Sequence, residues 1–306
     1  MVRLAENILI AYNPNSGKGK GATHARRIQR HLVKRGAHVG LVLGTKSIES
    51  VYDFCMGGMD YTLIIVVGGD GTLSYWVDAL VKNEHEIPVY AYGRGTANDF
   101  ATYFKTNKSA KKTAKIICET PKVRSIDLLE LDEASIQKYA VNVACGGAFT
   151  NGVTKYSKQG KRLFGKMAYF WGAFKVFMTM KPQAVELDID GEGYSSEIYF
   201  FLILNTPNAG SIKGISPLAI PDDGYLNLVA WKKCGFFRRL FLVLGLLFGC
   251  TKNNSLMHLK GKSFTITPKG KTNSNFTITD IDGNAGDNYP LKVNVATKQF
   301  KVLTNK

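Results

Sequence analysis

A glycine-rich segment, Gly68-Gly69-Asp70-Gly71-Thr72, follows directly after the continuous apolar run Leu63 to Val67. Such a run is typical of a strand that is buried on both faces of a parallel sheet. The residues behind the segment, Thr72 to Val81, carry apolar side chains at helical spacing and predict a helix. Glycines at a strand-to-helix turn let the backbone approach a ligand, and the helix N-terminus offers free N–H groups to a phosphate.

The carboxylate of Asp70 would lie beside that phosphate, where it can hold Mg²⁺ or orient a hydroxyl. The segment therefore predicts phosphate chemistry that uses a metal. A plain strand-to-helix turn is the competing interpretation, and it explains two glycines better than it explains this whole string.

The first third of the chain alternates predicted strands and helices. The strands are Ile8 to Tyr12, Val39 to Leu43, Leu63 to Val67 and Pro88 to Tyr92. The helices are Thr23 to Lys34, Ile48 to Cys55, Thr72 to Val81, Ala97 to Tyr103 and Ala110 to Glu119. This alternation predicts a doubly wound α/β domain with a parallel sheet, whose ligands bind beyond the carboxyl ends of the strands.

A second polar loop comes directly after the first predicted strand and consists of Asn13, Pro14, Asn15, Ser16 and Gly17. It lacks the glycine and lysine pattern of a Walker A loop. Its backbone N–H groups and the Ser16 hydroxyl can still bind a polyphosphate. An ordinary turn is the alternative, because Asn, Pro, Ser and Gly are common turn residues.

The third polar loop, Gly93 to Asp99, follows the last strand of this region. Thr96 and Asn98 can hydrogen-bond a nucleotide, and Asp99 can act with Asp70 on a metal. Taken alone, Thr96 or Asn98 serves equally well as a helix N-cap, with Asp99 in the first helical turn. All three loops fall at one edge of the predicted sheet, which favours a shared phosphate site.

After about Val123 the pattern changes to short strands with few helices, which predicts a β-rich second domain. Gly191-Glu192-Gly193 predicts a hairpin turn. The predicted strands are Val185 to Asp190, Ile198 to Leu204, Tyr225 to Ala230, Ser263 to Thr267, Phe276 to Ile278 and Leu291 to Val295. The predicted helices are Gly165 to Met178 and Phe236 to Phe248.

The formal net charge of +16 favours an anionic partner. The sequence carries no nucleic-acid-binding signature, so we expect no nucleic acid partner. The basic and aromatic stretch Lys155 to Lys166 is compatible with an anionic lipid surface and equally with a solvated loop. Five scattered cysteines without a CxxC pair favour a reducing cytosol over a zinc site or a disulfide framework.

Seven motifs, taken in order, resemble the soluble bacterial diacylglycerol kinase and lipid kinase family, which is related to sphingosine and ceramide kinases. The resemblance covers nearly the whole chain. The first two motifs are shared with NAD kinases and, more loosely, with phosphofructokinases. The motifs are Asn13 to Gly17, Gly68 to Thr72, Gly95 to Phe100, Asn142 to Gly147, Asn205 to Gly210, Asp222 to Tyr225, and Asp282-Gly283.

The resemblance implies a nucleotide-binding α/β catalytic domain over residues 1–126, to which segment 296–306 returns. Residues 127–295 would form a NAD kinase-like β-sandwich domain that contributes the lipid and metal sites, with ATP between the two domains. The nucleotide contacts implied by the resemblance are Asn13, Pro14, Asn15, Ser16, Gly17, Thr45, Gly68, Gly69, Asp70, Gly71, Thr72, Leu73, Ser74 and Thr96.

The same resemblance implies a structural Mg²⁺ held by the Asp223 carboxylate and the backbone carbonyls of Ile220 and Tyr225. One carboxylate and two carbonyls suit a hard cation. Asp70, Asp99 and Asp223 would form an acid–water network near the catalytic metal.

The implied chemistry is attack of a lipid hydroxyl on the γ-phosphate of ATP, assisted by Mg²⁺ and a carboxylate that accepts the proton. Here the family's Asp-Gly-Glu reads Asp282-Gly283-Asn284, and an asparagine cannot accept a proton at neutral pH. Three interpretations stay open: Asp282 is the base, Asp287 reaches in from the same loop, or catalysis is weak or lost. A second departure places Gly93-Arg94 where the family favours Pro and an apolar residue.

The leading hypothesis is an ATP- and Mg²⁺-dependent lipid kinase that converts diacylglycerol to phosphatidic acid. We expect it in the cytoplasm, bound peripherally to an anionic membrane surface, and a homodimer is compatible with this hypothesis. Its catalytic candidates are Asp70, Asp282, Asn284 and Asp287. A catalytically impaired nucleotide- or lipid-binding regulator and a NAD kinase are the alternatives.

Overall fold

The computed structural model describes residues 5–44, 51, 54–55, 60–106, 108–132, 135, 137–147, 179–247, 255–271, 276–286 and 288–305. The chain folds into two compact units. Unit 1 comprises Met1–Leu128, Gln137–Asn142 and Ala296–Lys306, and unit 2 comprises Leu129–Ile136 and Val143–Val295. The predicted helix Gly165 to Met178, the basic stretch Lys155 to Lys166 and most of the predicted helix Ile48 to Cys55 lie outside the described residues.

Strands and helices are numbered in chain order. The helices are α1 Gly21–Val33, α2 Asp70–Lys82, α3 Asp99–Tyr103, α4 Ala110–Glu119 and α5 Phe236–Leu247, and a short helical turn spans Ser16–Gly19. The strands are β1 Asn7–Tyr12, β2 His38–Leu43, β3 Leu63–Gly68, β4 Val89–Gly93, β5 Lys122–Ile126, β6 Leu129–Leu131, β7 Tyr139–Ala140, β8 Val143–Gly147, β9 Gln183–Ile189, β10 Glu192–Leu204, β11 Leu226–Lys232, β12 Leu256–Gly261, β13 Ser263–Pro268, β14 Asp280–Ile281, β15 Asn284–Ala285, β16 Leu291–Val295 and β17 Phe300–Thr304.

Unit 1 is built on a six-stranded sheet with the order β2-β1-β3-β4-β17-β5. Neighbouring strands from β2 to β17 are parallel, and β5 runs antiparallel to β17 at one edge. The register pairs Tyr12 with Val67 and Gly68 with Gly93, so β1, β3 and β4 end at the same edge of the sheet. The loops that follow these strands therefore emerge side by side.

The sheet of unit 1 is covered on both faces because successive side chains of a strand point to opposite sides. On one face, Ile8 and Ile65 pack with Ile28 of α1 and Ile117 of α4. On the other face, strand residues pack with the apolar side of α2, in a cluster that includes Leu9, Ile64, Trp76, Val77 and Leu80. All six residues of β3 are buried, as the continuous apolar run predicts.

The segment Gln137–Asn142 belongs to unit 1 because it is hydrogen-bonded to α2. The buried carboxylate of Asp78 accepts the backbone N–H groups of Lys138 and Tyr139, with Oδ1–N distances of 3.1 and 2.7 Å. The Gln137 amide donates to the hydroxyl of Ser74 on the same helix. The sequence pattern does not predict this attachment, because a lone aspartate in a helix is usually solvated.

Unit 2 is an antiparallel β-sandwich-like domain. Its strands follow the order β15-β14-β8-β10-β9-β13-β16-β6, and β11 joins β10 to β12. The thirteen-residue strand β10 pairs with β9 over its first half and with β8 and β11 over its second half. Its second half is fully apolar and buried, and it carries a core around Phe200 and Trp231. The predicted fold class, an α/β domain followed by a β-sandwich domain, is confirmed.

Two local predictions in unit 2 need correction. The predicted hairpin is present, but its turn lies at Asp190 and Gly191, which both have positive φ, and β10 already begins at Glu192. The first half of β10 is solvated and polar, so no apolar run signals it. The predicted strand Phe276 to Ile278 is not a strand in the structure. The ring of Phe276 is fully buried and packs beside the ring of Tyr289.

Within the described part of the chain, no helix combines the length and the apolar character that crossing a bilayer requires.

Candidate active site

Backbone hydrogen bonds join the three polar loops at the carboxyl edge of the unit 1 sheet. Asn13 N–H donates to Val67 O at 3.0 Å, which ties the first loop to β3. Gly17 N–H donates to Arg94 O at 2.7 Å, and Arg94 N–H donates to Gly68 O at 2.6 Å. The structure therefore brings together the three motifs that the sequence separates by about 80 residues.

Two glycines make the closest approach between these loops. A Cβ atom built on Gly95 would lie 2.5 Å from the Cα of Gly69, and one built on Gly69 would lie 3.1 Å from the Cα of Gly95. Neither distance leaves room for a methyl group without moving backbone. These glycines are required for space and not for conformation, since Gly69 has an ordinary φ of −93°.

Asp70 joins the second loop to the third. Its half-buried carboxylate accepts the backbone N–H groups of Asp99 and Phe100, each at 3.2 Å, and so caps the N-terminus of α3. Burial raises the pKa of the Asp70 carboxyl, against backbone hydrogen bonds that favour its charged form. Asn98 adopts a left-handed conformation with φ +54° and bridges both backbone groups of Gly95. The sequence indicated a carboxylate here but not its capping role.

The first loop is held closed by its own side chains. Asn13 Oδ1 accepts Asn15 N–H at 3.0 Å, and the Ser16 hydroxyl donates to Asn13 O at 2.8 Å. Asn13 Nδ2 reaches the Thr72 hydroxyl at the start of α2. Gly21, which opens α1, has no room for a Cβ because Asn13 O lies against it. Sequence reasoning missed Gly21, although a glycine in the first turn of a helix is a usable signal of close approach.

Positive charge surrounds the first loop. Burial, and then the charges of Arg94, Arg27 and Lys20, lower the pKa of His24. The Arg94 guanidinium lies 3.9 Å from the ring centroid of Tyr92 and donates to Gly93 O at 2.6 Å, so it is held in place. The backbone N–H groups of Asn13 to Gly17 and the Ser16 hydroxyl are already bonded within unit 1, which differs from the expectation that they bind phosphate. The cations beside this loop are therefore what makes it suitable for a polyphosphate.

The remaining predicted nucleotide contacts differ in accessibility. Pro14, Gly71 and Thr72 are half-buried at the loop edge, and Thr96 is exposed. Leu73 and Ser74 turn their side chains into unit 1, where both are buried. Thr45 lies outside the described residues.

The Asp282 motif forms a tight hairpin turn in unit 2. Asp282 and Gly283 both have positive φ, +52° and +87°, and connect β14 to β15. The Asp282 side chain is buried, and its Oδ1 accepts Val143 N–H at 2.8 Å. Asn284, at the start of β15, is half-exposed, and Asp287 lies outside the described residues. The geometry gives Asp282 a positioning role in the hairpin that presents Asn284.

The predicted metal ligands lie elsewhere in unit 2. Asp223 Oδ2 forms a 2.8 Å ion pair with Lys260 Nζ, and Oδ1 accepts Tyr225 N–H at 3.1 Å. The ammonium groups of Lys260 and Lys262 lie 4.5 and 5.2 Å from the centroid of the Tyr225 ring. Asp223 and the carbonyls of Ile220 and Tyr225 are donors that suit Mg²⁺, but the ammonium of Lys260 competes for the carboxylate. Among the described residues, no three His, Cys, Asp or Glu side chains cluster in a way that could hold a metal.

Comparison with known proteins confirms the resemblance. Residues 7–131 match the diacylglycerol kinase catalytic domain, and residues 142–304 match the YegS C-terminal NAD kinase beta sandwich-like domain. The chain is 26% identical over 302 residues to a diacylglycerol kinase of Staphylococcus carnosus, covering 97% of this chain and 94% of the relative. It is 25% identical over 225 residues to a diacylglycerol kinase of Bacillus subtilis, covering 73% of each chain. A crystal structure of a diacylglycerol kinase from Bacillus anthracis has the same fold, with a TM-score of 0.76, 23% identity and coverage of 98% and 97% of the two chains.

The contact between Gly69 and Gly95 predicts that Gly95→Ala is destabilising. The added methyl group must push the two loops apart, and overpacking of this kind costs about 1–3 kcal/mol. Urea unfolding measures the loss, and Gly193→Ala is the matched control because a Cβ there meets nothing within 4 Å. Equal stability of the two variants would contradict the prediction.

The buried carboxyl of Asp280 predicts that the stability difference between the wild type and Asp280→Asn depends on pH. Burial raises the pKa of its carboxyl to about 6 from its ordinary value of 3.8. The unfolded chain therefore ionises first as pH rises, and Asp280 destabilises the fold increasingly from about pH 4 to pH 6. Asp280→Asn removes this loss and keeps an oxygen for Gly283 N–H, which now lies 2.8 Å away. In urea unfolding, the free energy of unfolding of Asp280→Asn should rise relative to that of the wild type between pH 4 and pH 7. A difference that stays constant over this range would contradict the raised pKa of Asp280.

Proposed function

The chain belongs to the lipid kinase family that carries a diacylglycerol kinase catalytic domain, and we propose that it transfers the γ-phosphate of ATP to the hydroxyl of diacylglycerol. The observation that carries this proposal is the joining of the three polar loops around the contact between Gly69 and Gly95. The proposed product is phosphatidic acid, and the proposed place of action is the cytoplasmic side of an anionic membrane, to which the protein binds peripherally.

The nucleotide site of this proposal uses backbone more than side chains. The loop from Gly68 to Thr72, which leads into the N-terminus of α2, would offer N–H groups to the phosphates, as helix N-termini and glycine turns do. The N–H groups of the loop from Asn13 to Gly17 are already bonded within unit 1. Thr96 and Asn98 would bind from the third loop. The fixed guanidinium of Arg94 and the nearby Lys20 would offset phosphate charge.

Phosphoryl transfer in this family depends mainly on positioning and on charge neutralisation. Mg²⁺, when bound, would offset the charge that develops on the phosphates. Asp70 and Asp99 are the acidic groups of unit 1 that would orient its water ligands. In unit 2, Asn284 stands where the family's proton-accepting glutamate is expected, and Asp287, which follows three residues later in the sequence, would take this role.

We also propose that Asp223 holds a structural Mg²⁺ with the carbonyls of Ile220 and Tyr225. The donor set supports this, and it requires that Lys260 release the carboxylate. The site would stabilise unit 2 and would take no direct part in phosphoryl transfer.

The first experiment measures transfer of labelled γ-phosphate from Mg-ATP to diacylglycerol in anionic mixed micelles. We expect a labelled lipid from the wild type and a loss of about 10²-fold or more in Asp70→Asn, because a neutral amide would orient the water ligands of Mg²⁺ less well than a carboxylate does. Asp78→Asn is the matched control, since Asp78 also lies on α2 and also accepts two backbone N–H groups. Unfolding curves of both variants separate a catalytic loss from a capping loss.

Three outcomes would count against the proposed reaction. Equal losses in Asp70→Asn and Asp78→Asn would assign Asp70 a structural role only. Labelled NAD without labelled lipid would favour a NAD kinase. A wild type that binds ATP but labels no lipid would favour a catalytically impaired regulator. That alternative is based on the asparagine at position 284, where the family has a carboxylate.

Asn284→Glu tests the proton acceptor directly. We expect at least a tenfold gain in kcat with little change in the KM for ATP, because a carboxylate at this position can accept the hydroxyl proton. Asn284→Gln is the matched control, since it has the same length but no basic oxygen. An unchanged kcat in Asn284→Glu would point to another base, with Asp287→Asn as the next variant.

Lys260→Met tests the proposed structural Mg²⁺ without any activity measurement. Removing the competing ammonium should increase the stabilisation that Mg²⁺ confers on nucleotide-free protein, as seen in its thermal midpoint. Asp223→Asn should abolish this effect in the Lys260→Met background. If Mg²⁺ changes the thermal midpoint of neither the wild type nor Lys260→Met, the proposed Mg²⁺ site at Asp223 is contradicted.

A further inference from the structure

The first turns of α5 expose three phenylalanines. Phe236, Phe237 and Phe241 are 60%, 74% and 68% exposed, and the rings of Phe236 and Phe237 lie 5.7 Å apart. At 100° per residue these three positions fall within about 140° of the helix circumference. Other exposed large apolar residues of the described chain are distributed over different elements, so this helix turn carries a distinct apolar patch.

The opposite side of the helix start is anchored to the core of unit 2. The Arg239 guanidinium lies 4.4 Å from the ring centroid of Tyr199 and donates to its hydroxyl. Tyr199 is buried against Trp231, and its hydroxyl donates to Cys234 O at 3.2 Å. The contact between Arg239 and Tyr199 fixes which face of α5 points outward. The phenyl rings are therefore exposed to solvent.

The borders of this patch are basic. Lys232, Lys233 and Arg238 are exposed, and the helix from Phe236 to Leu247 contains no acidic residue. Lys233 forms a 2.8 Å ion pair with Glu197, and Arg238 is an exposed residue of the first turn of α5. Aromatic side chains bordered by cations are the composition of helices that lie in the interface of an anionic bilayer.

We propose that Phe236, Phe237 and Phe241 insert into an anionic lipid bilayer while Lys232 and Arg238 contact its headgroups. The inference rests on the proposed function, since it places a lipid kinase at the membrane that contains its acceptor. Charge complementarity favours the bilayer over a second copy of this chain, which carries the same net charge of +16. The phenylalanines supply apolar insertion, and the cations supply selectivity for anionic lipid.

The test is co-sedimentation of the full chain with vesicles of phosphatidylcholine containing 30 mol% phosphatidylglycerol, a composition chosen at roughly the charge of an anionic leaflet. We expect F237S/F241S to bind these vesicles about tenfold more weakly than the wild type, because two inserting side chains are lost. Leu218→Ser is the matched control, since Leu218 is 75% exposed outside the patch. Vesicles of phosphatidylcholine alone should bind all three proteins weakly.

Phe237→Trp supplies a second readout that preserves an aromatic side chain and hence the fold. Its fluorescence should shift to the blue when anionic vesicles are added, relative to the same titration of the wild type. Equal vesicle binding by wild type and F237S/F241S, or no spectral shift in Phe237→Trp, would overturn the proposal. A wild-type dimer that F237S/F241S converts to a monomer would assign the patch to a second copy instead.

Activity on a dispersed short-chain diacylglycerol separates this inference from the proposed function. F237S/F241S should keep its turnover on that acceptor and lose turnover on vesicle-bound diacylglycerol. Vesicle binding without turnover on either acceptor would refute the proposed kinase activity but not the proposed membrane-binding patch. Turnover on vesicles that is unaffected by F237S/F241S would refute the membrane-binding patch but not the kinase activity.

Discussion

The backbone contact between Gly69 and Gly95 is the constraint on which the candidate site depends. It lets two strand-ending loops lie against each other with no side chain between them. The hydrogen bonds from Gly17 to Arg94 and from Arg94 to Gly68 then bind all three loops into one layer. A site that works through backbone needs this close packing, because backbone groups cannot reach outward as side chains can.

The acidic residues of the motifs do structural work as well as the chemistry proposed for them. Asp70 caps α3, Asp282 holds its hairpin to β8 through Val143, and Asp223 pairs with Lys260. A carboxylate that accepts backbone N–H groups is fixed in orientation. The same bonds complicate mutagenesis, since removing the side chain also removes a cap, and this is why conservative amides and matched aspartates are the informative variants.

Unit 2 has an apolar, aromatic interior. The second half of β10 packs apolar residues on both faces, and the aromatic core extends through Trp231 to Tyr199. Through Arg239 that core also sets the orientation of α5, so the exposure of its phenylalanines follows from buried packing. Exposing these apolar side chains to water has a cost in free energy, which an interaction with lipid would offset.

Periodicity alone determined the main architecture of this protein. The apolar runs of β1 and β3 predict strands that are buried on both faces of the sheet, and the helical spacing of α1 and α2 predicts which face of each helix is buried. In these elements the local pattern and the tertiary structure agree. The motif loops could also be located, because parallel strands must end at the same edge. Only the tertiary structure decided that Gly69 touches Gly95, that Asp78 and Ser74 hold Gln137–Asn142, that Phe276 plugs a core, and that Lys260 pairs with Asp223. These contacts join residues far apart in sequence, and neither spacing nor propensity carries information about which distant partner a side chain will meet.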